Sequence, residues 1–159
     1  MAKRVDADAL KTLLRSAADE ARRRGDRRLG TDHLLLGLLH DPSSAQALGV
    51  SVESARAASD ALDTAALAAV GIEVDRLGAV MPGAGARHLP PLTSGTRAVL
   101  KAAIEQARPR RTGRIGTDHF ALALLEREVP DPAAELLRVL GVDPAEVRAR
   151  ISSARHDAA

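Results

Sequence analysis

The segment Leu29 to Leu39, LGTDHLLLGLL, returns as Ile115 to Leu125, IGTDHFALALL, displaced by 86 positions. Self-similarity of this kind marks a chain built from two copies of one supersecondary unit, each burying its apolar face against its neighbour. The correspondence extends outward from the motif. Upstream, Leu14 matches Leu100, Ala18 matches Ile104 and Ala21 matches Ala107 at the same displacement, a spacing that predicts a core-facing helical stripe. Downstream, AQALGVSVESARA around Gly49 resembles LRVLGVDPAEVRA around Gly141. Each copy reads as long helix, basic loop, short helix, short helix, turn and helix.

Composition fixes the class of those elements. Ala, Leu and Arg are strong helix formers, β-branched residues are scarce, and Phe120 is the sole aromatic residue among 159. The expectation is an all-α, pseudo-two-fold duplicated fold of about eight to ten helices. One aromatic ring excludes the stacking platforms used by single-strand binders, and the absence of cysteine excludes disulfides, thiolate metal sites and thiol nucleophiles. The net charge of +2 indicates no particular partner. Asp6 and Asp8 interrupt the stretch where a signal peptide needs apolar residues, and no run is long enough to span a membrane, so the expected compartment is the cytoplasm.

Helix ends are marked by side chains that satisfy unpaired backbone groups. Thr31 and Thr117 are placed as N-caps, with Asp32 and Asp118 in the first turn at the positive end of the helix dipole. Asp41-Pro42, Asp131-Pro132 and Asp143-Pro144 each set a capping carboxylate before a proline at the first helical position. Thr93 is placed to cap the long helix of the second copy, and Gly25, Gly49, Gly71 and Gly141 stand where helices stop. The expected organisation is one domain over 1–159: a first repeat over 1–81 with an inserted turn and helix after Ala69, a Gly- and Pro-rich linker over 82–92, and a second repeat over 93–159.

Enzymatic chemistry finds no support. There is no phosphate-binding Gly-rich loop and no nucleophile elbow, and His33, His40, His88, His119 and His156 form no ligand pattern, so neither metal nor cofactor is called for. His33 and His119 occupy identical repeat positions, which fits a structural hydrogen bond at a helix start. Arg22, Arg23, Arg24, Arg27 and Arg28 precede the first motif, and Arg108, Arg110, Arg111 and Arg114 the second. Arg27, Arg28, Arg111 and Arg114 are candidate anion contacts, with a solvated loop as the plainer reading. Asp32 and Asp118, beside backbone N–H groups, suit a guanidinium or zwitterionic ligand, with simple dipole stabilisation as the plainer reading.

The paired GTDHLLLGLL and GTDHFALALL, each behind an Ala-rich helix, resemble the GTEHLLLGLL-type signature of the Clp N-terminal domain, and HLPPLT at His88 to Thr93 resembles the opening of the second repeat in its ClpC branch. The resemblance covers nearly the whole chain. It implies a non-catalytic all-α domain that binds Clp substrates and adaptors. In that branch the acidic residue of each motif engages the guanidinium of phosphoarginine, which places Asp32 and Asp118 at the ligand, with phosphate near the start of each long helix. Thr93 matches the threonine used there in the second repeat, whereas the first repeat has Asp6-Ala7-Asp8 at that position. The resemblance also implies an apolar surface for cyclic peptides, on which Leu92 takes the place of a phenylalanine. With no ATPase module in these 159 residues, the expectation is a stand-alone binding protein that modulates Clp-dependent proteolysis. The competing expectation is polyanion or nucleic-acid binding through the paired arginine loops, the less favoured of the two readings.

Overall fold

The computed structural model describes residues 7–72, 88–107 and 114–158. Helices α1 (Ala7–Arg24), α2 (Thr31–Leu38), α3 (Pro42–Leu48) and α4 (Val52–Ala69) carry the first copy of the motif. Helices α5 (Ser94–Ala107), α6 (Thr117–Leu125), α7 (Pro132–Val139) and α8 (Pro144–Asp157) carry the second. The described residues contain no strand, only an isolated parallel bridge between Leu29 and Leu92. The all-α expectation and the element order of each copy hold. The inserted helix and most of the 82–92 linker fall outside the described residues.

The GTDH helices form the centre. In α2 every residue except Asp32 is buried, and α6 buries His119 to Ala121 and Ala123 to Leu125. These helices touch each other, and each also packs against the third helix of the opposite copy: α7 lies on α2 and α4, while α3 lies on α6 and α8. This exchange is the physical basis of the pseudo-two-fold arrangement. Neither short helix pair can bury its apolar face alone, and the exchange merges both copies into one hydrophobic cluster running from Leu13 to Ile151.

The long helices present a stripe one residue away from the expected register. Leu13, Ala17 and Ala21 on α1 match Val99, Ala103 and Ala107 on α5, and all six are buried. Ile104, expected in the core, is 39% exposed, so that position is corrected to the helix flank. The small residues on the stripe let α1 and α2 cross closely: a Cβ added to Gly37 would lie 2.7 Å from the Ala17 backbone nitrogen.

Helix ends follow the predicted chemistry with one correction. Asp41, Asp131 and Asp143 accept backbone N–H groups of the helices they precede, and Thr93 Oγ1 accepts from the Thr96 N–H at 3.2 Å. Gly49 and Gly141 both end their helices at φ 69°, a left-handed conformation that any side chain would strain. The N-caps of α2 and α6, however, are Gly30 and Gly116, not Thr31 and Thr117. The histidines supply the missing function, because His33 Nδ1 accepts the Gly30 N–H at 2.9 Å and His119 Nδ1 accepts the Gly116 N–H at 3.1 Å. Each imidazole thus closes the first turn as a Glu or Gln does in a capping box.

Candidate functional site

Freed from capping, the two threonines join the copies. Thr31 Oγ1 donates to Asp131 Oδ1 at 2.8 Å and accepts from the Ala133 N–H at 3.2 Å. Thr117 Oγ1 donates to Asp41 Oδ2 at 3.2 Å. Each motif threonine is therefore clasped to the Asp-Pro cap of the other copy. Burial opposes the Asp41 charge, but the hydrogen bonds from Ser43, Ser44 and Thr117 outweigh it and hold the carboxyl below the usual range.

The next residue of each motif faces a cleft. Asp32 opens onto a cleft of about 400 Å³ whose wall includes Ser59, Leu62 and Asp63 of α4 and Pro132, Glu135 and Leu136 of the opposite copy. Asp118 opens onto one of about 200 Å³ lined by Ser43, Ser44 and Ala47 of the opposite copy and Ile151, Ala154 and Arg155 of α8. The clefts are equivalent under the pseudo-symmetry. Aligning Gly49 with Gly141, 92 positions apart, sets Ser59 on Ile151, Leu62 on Ala154 and Asp63 on Arg155.

Both carboxylates already hold a guanidinium. Arg24 Nη1 donates to Asp32 Oδ2 at 2.7 Å, its Nη2 donates to Asp63, and its Nε lies 3.4 Å from Asp26 Oδ2. Burial works against the Arg24 charge, but Asp32 together with Asp63 and Asp26 overcomes it and raises the guanidinium pKa above its ordinary value. In the second cleft Arg155 Nε donates to Asp118 Oδ2, while Asp118 Oδ1 accepts the His119 N–H at 2.9 Å. The carboxylate of Asp118 thus sits between a backbone N–H of the first turn and a side-chain cation.

The other expected residues divide. Thr93 is not beside the second motif: its N–H donates to the Leu29 carbonyl at 3.1 Å, and Thr96 Oγ1 donates to the same oxygen at 2.9 Å, so the start of α5 is tied to the first motif. The start of α1 is crossed in the same sense, since Asp8 and Thr117 line a common cleft. Thr93 and Asp118, grouped as one second-repeat site by sequence, are therefore separated, Thr93 lying beside the first motif and Asp118 on the second motif helix. Leu92 is half-buried, bridged to Leu29 and packed against the core. Arg27, Arg28 and Arg114 are exposed, and Arg111 lies outside the described residues. Arg155 and Asp63 were missed. Their only sequence signal is the Gly49–Gly141 register carried three further helical turns, past the point where the residues stop resembling each other.

Fold and site together define a duplicated all-α domain with a pair of pseudo-equivalent, carboxylate-headed clefts. Residues 91–157 match the Clp repeat (R) N-terminal domain, so the resemblance seen in the motifs is to that family. Over 156 residues the chain is 30% identical to chaperone protein ClpC1, chloroplastic, of Arabidopsis thaliana, covering 95% of this chain and 15% of that protein. It is equally 30% identical to a chloroplastic ClpA homolog, an ATP-dependent Clp protease ATP-binding subunit of Brassica napus, covering 95% of this chain and 16% of the relative. The chain thus spans about a sixth of the length of these relatives. The fold is shared with the N-terminal domain of the chaperone ClpD from Arabidopsis thaliana, at a TM-score of 0.63 and 23% identity over 91% of this chain and 92% of that one. Among the described residues no helix is long and apolar enough to cross a membrane.

Proposed function

We propose that this chain is a non-catalytic protein- and peptide-binding domain of the Clp system, which captures substrates or adaptors by reading arginine-type side chains at Asp32 and Asp118. The observation that carries the reading is that both carboxylates, at equivalent helix starts facing equivalent clefts, grip a guanidinium. A position that binds an arginine of its own chain has the charge, reach and geometry to bind one from a partner. Phosphoarginine is the modified form that the resemblance implies. By holding substrates, adaptors or Clp-directed cyclic peptides, such a domain modulates Clp-dependent proteolysis. For cyclic peptides Leu92 is the candidate contact, and its packing beside Leu29 leaves only part of its side chain for a ligand.

Calorimetric titration with a phosphoarginine peptide and its unmodified arginine counterpart tests the proposal. The expected result is saturable binding that the Asp32→Ala, Asp118→Ala double variant loses while keeping its helical content. Equal binding by the double variant would move the ligand away from these clefts, and no binding of either peptide would end the reading.

A further inference from the structure

The last helices of the two copies are anchored unequally. With Gly49 aligned on Gly141, the core-facing residues of α8 are Val147 and Ile151, and the same positions of α4 hold Ala55 and Ser59. Two small side chains remove far less apolar surface from water than Val and Ile do, so α4 depends more on its polar ties. Among the described residues, side-chain bonds join α4 to other elements at two places. Near its start Arg56 is held by the buried Glu20, and in its middle Asp63 accepts from Arg24 Nη2. Among the same residues Leu62 is the last one of α4 that packs against the core. From 63 to 69 every residue except Leu67 is exposed, and this stretch stands across the Asp32 cleft from α7.

The tie at Asp63 is indirect. In the second copy the corresponding residue, Arg155, reaches the motif carboxylate Asp118 by itself. In the first copy both members are carboxylates, Asp32 and Asp63, which repel each other unless a cation stands between them. Arg24 is that cation: its side chain, 10% exposed, donates from Nη1 to Asp32 and from Nη2 to Asp63. We infer that the outer half of α4, from Asp63 to Ala69, is a lid on the Asp32 cleft and that Arg24 is its latch. While one guanidinium spans both carboxylates, α4 stays beside the motif helix. When the guanidinium leaves either of them, the like charges separate, the Glu20–Arg56 pair keeps the near half of α4 in place, and the cleft widens between α4 and α7 to expose Leu62 and Leu136. Asp63 is itself half-exposed, so the latch is weak enough for ionic screening to open it. This device goes beyond the ligand proposed for Asp32 and holds whether or not a peptide binds there.

The chain has no cysteine, so spin labels on an Ala68→Cys, Val139→Cys background report the separation of α4 from α7 in the full chain. That background is expected to give one short distance, and Arg24→Gln within it a second, longer population. Adding Asp63→Arg to Arg24→Gln copies the direct pair of the second copy and is expected to bring the short distance back. Arg22→Gln, which removes a neighbouring α1 arginine bonded to Asp19 and to the His88 carbonyl, is expected to change nothing. With Arg24 in place, raising the salt from about 0.01 M to about 1 M shortens the screening length from about 30 Å to about 3 Å and is expected to raise the longer population. A distance that Arg24→Gln leaves unchanged while the helical content is kept, or that Asp63→Arg fails to restore, overturns the inference. Should Arg24→Gln lose its helical content, the salt series decides, and a distance constant across it overturns the latch. Peptide titration is a separate measurement, so its failure ends the proposed function and leaves the latch standing.

Discussion

The first and second copies share an architecture and differ in what they bury under it. Glu20 of α1 is 2% exposed and collects Arg56 Nη2 at 2.5 Å, His40 Nε2 at 2.8 Å and Arg23 Nε at 3.3 Å. At the matching place in the second copy stands Gln106, whose Nε2 donates to Glu126, the counterpart of His40, at 2.8 Å and at the surface. One copy thus ties its long helix to its last with a buried charge cluster, whereas the other ties its long helix to the end of α6 with a single amide. A duplication tolerates this divergence because the shared requirement is a connection between helices, which either device supplies. The stability at stake is unequal, since removing one partner of a buried pair strands the rest.

The largest expected effect follows from that contrast. Glu20→Ala leaves Arg56 and His40 without their acceptor and is expected to cost about 3–4 kcal/mol, whereas Gln106→Ala costs within about 1 kcal/mol; chemical denaturation of both variants measures the difference. The same carboxylate makes stability depend on acid. Burial alone would raise the Glu20 pKa, but the Arg56 and His40 hydrogen bonds overcome it and bring the group from 4.5 down to about 2. Between those values the unfolded chain binds a proton that the folded chain refuses. The contribution, about 3 kcal/mol by linkage, is complete above pH 4.5 and is lost as pH falls toward 2. Glu20→Gln is expected to flatten that part of the stability profile, and an unchanged slope would remove Glu20 as its source.

The helix crossings sharpen the comparison at the next level. Gly37 of α2 corresponds to Ala123 of α6, so the first copy lacks a methyl group where the second has one. The Cβ of a Gly37→Ala variant would meet the Ala17 nitrogen at 2.7 Å and its Cα at 2.9 Å, backbone atoms that no rotamer change relieves. The expected loss is about 2–3 kcal/mol. Ala123→Gly, the reverse change in the second copy, is expected to lose only about 1 kcal/mol, mainly through helix propensity. Equal losses would mean that the two crossings are equally tolerant and that the glycine marks no closer approach.

The clasps between copies stand lower again. The Thr31 hydroxyl both donates to Asp131 and accepts from Ala133, and Asp131 also receives Arg127 Nε at 3.1 Å. Thr117 makes a longer bond to an Asp41 oxygen that Ser43 and Ser44 already share. A double-mutant cycle on Thr31→Val and Asp131→Ala is expected to show a coupling of about 1 kcal/mol. The corresponding cycle on Thr117 and Asp41 is expected to give less than half of that, and the reverse order would contradict the hydrogen-bond geometry.

Much of this was legible in the chain, for physical reasons. Motif repetition and Ala-Leu-Arg composition dictate two all-α units, and Asp-Pro pairs and glycines bound their helices, because both act through local backbone chemistry that sequence displays directly. What stayed hidden depends on contacts between the copies. The threonines looked like caps because a hydroxyl before a helical stretch has that role in isolation, but with His33 and His119 serving the glycine N–H groups, the hydroxyls turn to the opposite copy. Thr93 looked like a partner of Asp118 because they share a repeat, yet the exchange of helices sets it beside Leu29. Asp32 and Asp118 were visible as carboxylates at helix starts. Their resident arginines were not, since Arg24 reads as one of a basic run and Arg155 as part of a polar last helix.

The stripe on the long helices gives the smallest effect and a direct check of register. Residues 14, 18 and 21 and residues 13, 17 and 21 both satisfy helical spacing, and Ala at 17, 18 and 21 leaves hydrophobicity unable to choose between them on α1. On α5 the choice has consequences, because one register buries Ile104 and the other buries Ala103. The structure buries Ala103 completely and leaves Ile104 39% exposed. Ile104→Gln is therefore expected to change stability by no more than about 0.5 kcal/mol. Ala103→Gln forces a long polar side chain into the crossing with α6 and is expected to cost several times as much. Ala18→Gln provides the matching probe on α1, where both Ala17 and Ala18 are buried and the stripe is broader. There the cost is expected to resemble that at Ala103 and to exceed that at Ile104, because α1 lies against α2 with Gly37 at its closest approach while the corresponding flank of α5 faces solvent.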